Sequence, residues 1–106
     1  MNIDDLTKRM NEFVEDKGWY DKNSPRPQTQ RNLSLSLHLE TSEILELFQW
    51  GEREISKPTL AGELADVALY LLQLASVGDI DLEDAILRKL QENYHRTWPR
   101  KGDNDK

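Results

Sequence analysis

The fold of this chain is decided by residues 31–50, RNLSLSLHLETSEILELFQW, and residues 62–75, GELADVALYLLQLA. The first stretch begins ambiguously, because its first four leucines alternate with polar residues as they would in a half-buried strand. Its continuation, ETSEILELFQW, has helical spacing, and no proline or glycine separates the two parts. We therefore predict one long helix over residues 31–50, capped by Gly51.

The second stretch belongs to a helix that is apolar on nearly every side. Thr59, which follows Pro58, is its expected N-cap, and Gly78 is its expected end. A helix without a polar face is normally buried, so this one is predicted to lie at the centre of the fold. The apolar positions that carry this prediction are Leu60, Leu64, Val67, Ala68, Leu71, Leu72, Leu74 and Ala75.

Two amphipathic helices flank this pair. The first covers about residues 3–17 and ends at Gly18, and residues 19–30, which contain two prolines, are expected to form a loop. Asp81 is a good cap for the last helix, which has a single apolar stripe. Residues 97–106 are expected to be a flexible tail. The sequence thus predicts an all-α fold in one domain, residues 1–106.

Composition restricts the function classes. The 106 residues include no cysteine, so disulfides and thiolate metal sites are excluded, and any metal must be held by oxygen or histidine nitrogen. The net charge of −6 argues against a nucleic-acid polymer as ligand. The N-terminus lacks a leader pattern, and no segment is expected to reach the roughly 20 apolar residues of a membrane helix. A cytoplasmic protein is the simplest expectation.

Two pairs of carboxylates are the candidate chemical groups. Glu40 and Glu43 lie three residues apart on one predicted helix, and Glu63 and Asp66 lie three apart on the next. Side chains at this spacing point the same way, and antiparallel helices would let the two pairs face each other. Four carboxylates drawn together repel unless a cation neutralises them, and Mg²⁺ prefers such oxygen ligands. Ordinary surface acids are the alternative explanation.

These residues also carry a resemblance. The two stretches resemble the MazG-like all-α NTP pyrophosphatases, whose signature is ExxE, a spacer and then ExxD, and here 19 residues separate Glu43 from Glu63. The likeness covers about 80 residues, and the FQW and ELADV elements look most similar to the dCTP pyrophosphatase branch. Further matching positions are Trp19, Arg31, Asn32, Leu33, Phe48, Gln49, Trp50, Tyr70, Lys89, Asn93, Arg96 and Pro99.

The resemblance implies a bundle of four to five helices, assembled as a dimer or a dimer of dimers with sites near subunit contacts. It implies hydrolysis of nucleoside triphosphates, with dCTP as leading substrate, to monophosphate and pyrophosphate, in nucleotide-pool house-cleaning. The implied cofactor is Mg²⁺, with Mn²⁺ as a substitute, and Glu43 and Glu40 are the candidate catalytic residues. The residues implied to bind substrate are Trp50, Tyr70, Lys89, Asn93, Arg96 and Trp19.

Some positions depart from the branch. Gln28 stands where a histidine is common, Ser42 is the small residue inside ExxE, and Trp98 replaces a terminal tyrosine. The metal residues are unaffected, whereas base preference is left open. For Trp19, Trp50 and Trp98, a structural role in the core or an interface is as good an explanation as base stacking.

Two other functions compete with this one. A non-enzymatic helical interaction module would use the acidic residues as salt-bridging groups, and it would not respond to magnesium. A phosphohydrolase of a neighbouring subfamily would release orthophosphate instead of pyrophosphate. His38 is expected to pack or to face solvent, and with only one other histidine, His95, a histidine metal site is not expected.

Overall fold

The protein is described by a computed structural model over residues 1–51 and 54–97, within which it forms four α-helices and no strand. They are α1 (Ile3–Asp16), α2 (Gln30–Leu47), α3 (Lys57–Val77) and α4 (Leu82–His95). The predicted all-α fold is confirmed. Of the predicted tail, Trp98, Pro99 and the residues that follow lie outside the described ranges.

Two helix ends differ from the predicted ones by three residues. α2 ends at Leu47, and residues 48–50 form a turn after it, so Gly51 does not cap the helix. α3 begins earlier than predicted, since Ser56 and not Thr59 is its N-cap. Pro58 therefore lies inside the first turn, where a missing N–H costs no hydrogen bond. The predicted caps Gly78 and Asp81 are both observed.

α2 and α3 run antiparallel and share the most extensive helix contact of the fold. Gln28, just before α2, hydrogen bonds to Gln73 near the end of α3. At the other end of the pair, Glu43 lies beside Glu63 near the start of α3. The short connector between the helices favours this arrangement, which brings Glu63 of α3 next to Glu40 and Glu43 of α2.

The core lies at the C-terminal end of α3. Met10 and Val14 of α1 pack against Leu72, and partly buried residues that include Trp19 and Tyr20 cover this cluster. The prediction that α3 is buried along its length was wrong, because its only buried residues within the described chain are Leu72, Gln73 and Ala75. α1 and α2 cover only part of the helix surface. Leu64, Leu69 and Leu71 remain 43–52% exposed.

α4 leaves its apolar stripe uncovered. Leu82 packs against the core, but Ile86, Leu87 and Leu90 are 45–61% exposed, and within the described chain α4 has no buried residue. An amphipathic helix normally buries its apolar side. Within a single chain, the apolar stripe of α4 beyond Leu82 is therefore left largely uncovered by the described residues.

α3 is also long and apolar enough, by its 21 residues and its composition, to cross a membrane. The expectation that no segment reaches this length was therefore wrong. The core helix of a soluble protein passes the same test, and α3 carries two acidic residues and packs against α1 and α2. The composition of this one helix is thus weak support for a membrane span.

Candidate active site

Three glutamates from two helices form a cluster. Glu40 and Glu43 lie one turn apart on α2, and Glu63 lies opposite them on α3. One carboxylate oxygen from each residue lies within 4.8 Å of the other two. Glu40 and Glu63 are half-buried, whereas Glu43 is exposed. The antiparallel contact of α2 and α3 thus aims three oxygens at one point.

In two of these carboxylates, one buried oxygen has no hydrogen-bond donor among the described residues. The Oε2 atoms of Glu40 and Glu63 are buried and accept no hydrogen bond from the described residues. Two ion pairs of the described chain, Arg88–Asp84 and Lys89–Glu92, involve other acids, and both lie on α4. A buried carboxylate oxygen without a donor is costly. A divalent cation between the three glutamates would supply the missing interactions, so the residues present fit a hard metal ion.

The pKa values of two glutamates in the cluster are raised, as expected for neighbouring acids with no cation between them. Burial, and then the neighbouring Glu43, raises the pKa of Glu40 above the ordinary glutamate value. For Glu63, a hydrogen bond with Glu43 is the largest cause of a raised pKa, followed by burial. Both carboxyls are therefore harder to ionise than ordinary glutamates while no cation is bound.

Asp66 is placed at the edge of this cluster. It is exposed and is not among the three residues whose oxygens converge, but its charge contributes to the raised pKa of both Glu40 and Glu63. It also lines a neighbouring cavity. The structure therefore brings together three of the four predicted metal ligands and places Asp66 where the cluster meets the cavity.

The cavity has a volume of about 770 Å³ and lies between α1, the loop after it, α2 and α3. Its wall is largely apolar and includes Trp19 and Tyr70, two of the predicted substrate-binding residues. A mostly apolar cavity with a few polar groups is typical of small-molecule sites. Sequence reasoning did not assign Arg9, Arg26, Asn32 and Gln73, which also line it.

Trp19 is held in the cavity wall by two neighbours. Its ring meets that of Phe13 edge to face, with 5.6 Å between centroids, and the Arg26 guanidinium lies 5.7 Å from the indole. These contacts fix the ring on the side of α1. Trp19 can therefore offer a stacking surface to a planar ligand.

Gln73 is the residue that the sequence analysis missed most clearly. It is only 4% exposed, and its Nε2 donates to Gln28 Oε1 at 2.6 Å. Asp66, Tyr70 and Gln73 lie at i, i+4 and i+7 of α3, so they share one face. A polar amide two turns beyond Asp66, within the largely apolar stretch of residues 67–75, was the signal available in the sequence.

The other predicted binding residues are not brought to this site by a single chain. Trp50 is 88% exposed beyond the end of α2, and neither it nor Lys89, Asn93 and Arg96 of the α4 segment lines the cavity. Lys89 Nζ lies 3.5 Å from Glu92 on its own helix. His38 is exposed, as the sequence analysis allowed. Trp98 lies outside the described residues.

Comparison with known proteins bears directly on this site. Residues 28–98 match the sequence profile of the MazG nucleotide pyrophosphohydrolase domain, a range that contains all four acidic residues. The chain belongs to the MazG nucleotide pyrophosphohydrolase family. This MazG chain is 33% identical to dCTP pyrophosphatase 1 of Bos taurus and, equally, to that of Homo sapiens; each alignment covers 89% of this chain.

The chain spans 58% of the length of these curated relatives. A solved structure supports the fold over almost the whole chain. A pyrophosphatase from Archaeoglobus fulgidus superposes with a TM-score of 0.74 at 31% sequence identity, covering 92% of both chains. The resemblance drawn from the acidic motifs is thereby confirmed at the level of family and fold.

Proposed function

We propose that this MazG-family protein hydrolyses nucleoside triphosphates between the α and β phosphates, with dCTP as the leading substrate. The observation that carries the proposal is the cluster of Glu40, Glu43 and Glu63, two of which have buried oxygens without donors, beside a cavity of nucleoside size. The similarity to dCTP pyrophosphatase 1 supports the choice of nucleotide.

Glu40, Glu43, Glu63 and Asp66 would hold Mg²⁺, for which Mn²⁺ would substitute. The bound cation would neutralise phosphate charge and lower the pKa of a water molecule. In the reaction, the oxygen of water bonds to the α-phosphorus, the α–β bridging P–O bond breaks, and monophosphate and pyrophosphate leave. Glu43, the exposed member of the cluster, is our candidate to accept the proton of the water. Glu40, one turn before Glu43 on α2, is the second candidate catalytic residue.

The cavity would receive the base and the sugar. Trp19 would stack on the base, and Tyr70, one turn beyond Asp66 on α3, would place its hydroxyl near the sugar or the phosphates. The charge of −6 makes a nucleic-acid polymer an unsuitable ligand for this site. We infer a cytoplasmic protein without membrane contact that removes unwanted nucleotides from the pool.

The remaining predicted groups would come from assembly. A homodimer, or a tetramer built from two dimers, would cover the exposed stripe of Ile86, Leu87 and Leu90 on α4. The same contact would carry Lys89, Asn93 and Arg96 of one subunit towards the phosphates bound by its partner, since they do not line the cavity of their own chain. Trp50 would close the site from the end of α2.

The proposed function is tested by identifying the products of a panel of dNTPs and NTPs with Mg²⁺. We expect pyrophosphate and monophosphate, without orthophosphate as the primary product. Glu43→Gln and Asp66→Asn should each lower turnover by about 10²–10⁴-fold. Glu12→Gln, an exposed acid on α1, should leave it unchanged. Orthophosphate as the first product, or full turnover in both site variants, would refute the proposal.

A further inference from the structure

Gln73 is a cavity residue to which the proposed reaction gives no role. It is the only polar residue among the buried ones that the structure describes, and it lies in the wall of the cavity next to the apolar core. A buried amide has an energetic cost unless its groups are paired. The partner of each group of this amide therefore has to be identified.

The orientation of the Gln73 amide follows from a backbone group. Gln28 Nε2 donates to the carbonyl oxygen of Arg26 at 2.7 Å, and a carbonyl can only accept. Gln28 Oε1 must then face Gln73, from whose Nε2 it accepts at 2.6 Å. The Arg26 carbonyl thus determines which end of each amide points where.

The far side of the amide is restrained as well. The Tyr20 hydroxyl donates to Asn11 Oδ1 at 2.6 Å, and Asn11 Nδ2 donates to Ser76 Oγ at 3.0 Å. The Tyr20 oxygen is thus left to accept from Gln73. Burial raises the pKa of Tyr20, and its hydrogen bond with Gln73 acts in the opposite direction. These contacts hold Gln73 Nε2 among protein groups.

One group of Gln73 remains available. No donor in the described chain reaches its Oε1, although the residue lines the cavity. Seven residues of helix separate Gln73 from Asp66, which is about 10 Å along the axis of α3. This span fits a nucleoside whose phosphates lie at the acidic cluster and whose base lies deeper in the cavity.

We propose that Gln73 determines base selectivity by accepting a hydrogen bond, through Oε1, from the exocyclic amino group of cytosine or adenine. A base with a keto oxygen at that position would bring two acceptors together and leave both unpaired, so it would be rejected. Gln28 is the positioning residue that keeps the acceptor in place. This inference rests on the proposed function, because it assumes that the cavity receives the base.

Two pairs of nucleotides that differ at this one position test the proposal. For dCTP against dUTP, and for dATP against dITP, the kcat/KM of the amino member should exceed that of the keto member by about ten- to a hundredfold. Gln73→Leu should bring each ratio close to one, mainly by improving use of the keto nucleotides. Gln30→Leu, an exposed glutamine at the start of α2, should keep the wild-type ratio.

The outcomes separate this inference from the proposed function. Pyrophosphate release with the same ratios in wild type and Gln73→Leu would overturn the role of Gln73 while leaving the reaction intact. If the wild-type protein releases pyrophosphate from none of the four nucleotides, both the role of Gln73 and the proposed function would be overturned. If Gln73→Leu does not fold, as judged by circular dichroism, Gln73→Met offers a second apolar side chain of similar length, and the same ratios decide.

Discussion

Glu40 and Glu63 face each other across the contact of α2 and α3, and each buries one carboxylate oxygen that accepts no hydrogen bond from the described residues. Burial, followed by the charge of Glu43, raises the pKa of Glu40, and the pKa of Glu63 is raised first by its hydrogen bond with Glu43 and then by burial. The pair is stable at neutral pH only at a cost in folding free energy, and a divalent cation would remove that cost.

The first prediction concerns stability with magnesium. Because a ligand that binds only the folded state stabilises it, Mg²⁺ at ten times its Kd should add about 1.4 kcal/mol to the free energy of unfolding. For a domain of this size the melting temperature should rise by roughly 6–11 °C. Differential scanning fluorimetry in EDTA and in Mg²⁺ measures the shift.

Glu63→Gln provides the matched variant for this experiment. It removes one repelling charge, so its stability in EDTA should equal or exceed that of the wild type, while the magnesium shift disappears. Glu12→Gln should keep the shift. If Mg²⁺ does not change the melting temperature of the wild type, the result would favour the alternative of a non-enzymatic interaction module.

The second prediction is a pH dependence of the metal-free protein. A folded-state pKa above the unfolded value means that the stability contributed by the neutral carboxyl is fully present below the ordinary glutamate pKa, about 4.3. It is lost as pH rises through the raised pKa of Glu40 and Glu63. Chemical unfolding in EDTA should therefore show a greater loss of stability, as pH rises above the ordinary glutamate pKa, in the wild type than in the Glu40→Gln, Glu63→Gln double variant.

Magnesium should reverse this trend, since the cation binds the ionised carboxylates and its binding strengthens as they lose protons. An equal pH dependence in wild type and double variant would show that these two groups titrate as ordinary exposed acids.

The sequence was sufficient to predict the elements that produce this arrangement. Helical spacing and the absence of breakers in residues 31–50 outweighed the strand-like alternation of the leucines, and the acidic pairs indicated which helix faces meet. The ends of α2 and α3 were misplaced because cap choice depends on local geometry: Ser56 could cap α3 only because Pro58 is tolerated in the first turn.

What the sequence did not give is the set of contacts between residues distant in the chain. Gln28 and Gln73 are 45 positions apart, and their hydrogen bond exists only because α2 and α3 pack in one register. Burial of α3 was overestimated for a related reason. Apolar composition predicts that a helix packs against other elements, but it does not say whether those elements belong to its own chain or to a second subunit.

The third prediction concerns the stacking surface. Trp19→Ala should raise the KM for dCTP by roughly 5- to 100-fold, as expected for the loss of one base–aromatic stack. The KM of Trp19→Phe should lie between that of the wild type and that of Trp19→Ala. Trp50 stays a predicted pocket residue, but because it is 88% exposed, Trp50→Ala should have the smaller effect. Steady-state kinetics decide, and an unchanged KM in Trp19→Ala would exclude stacking there.

The fourth prediction addresses the proposed contribution of the partner subunit. Glu43→Gln and Arg96→Ala should each be inactive alone. In mixed dimers, one site combines the native Glu43 of one subunit with the native Arg96 of the other, so equal mixing should restore about a quarter of wild-type activity. Co-expression with two affinity tags isolates the mixed dimers, whose one intact site of two should give about half of wild-type turnover. No recovery in isolated mixed dimers would mean that Arg96 acts within its own chain or has no role.

The cation itself is the central claim, and Mn²⁺ makes it directly visible. Crystals grown with millimolar Mn²⁺ should give an anomalous peak among Glu40, Glu43 and Glu63, with oxygen distances of roughly 2.1–2.2 Å, as hard-cation coordination requires. The formerly unpaired Oε2 atoms of Glu40 and Glu63 should be among the ligands. Clear density for all three glutamates with no anomalous peak between them would contradict the account.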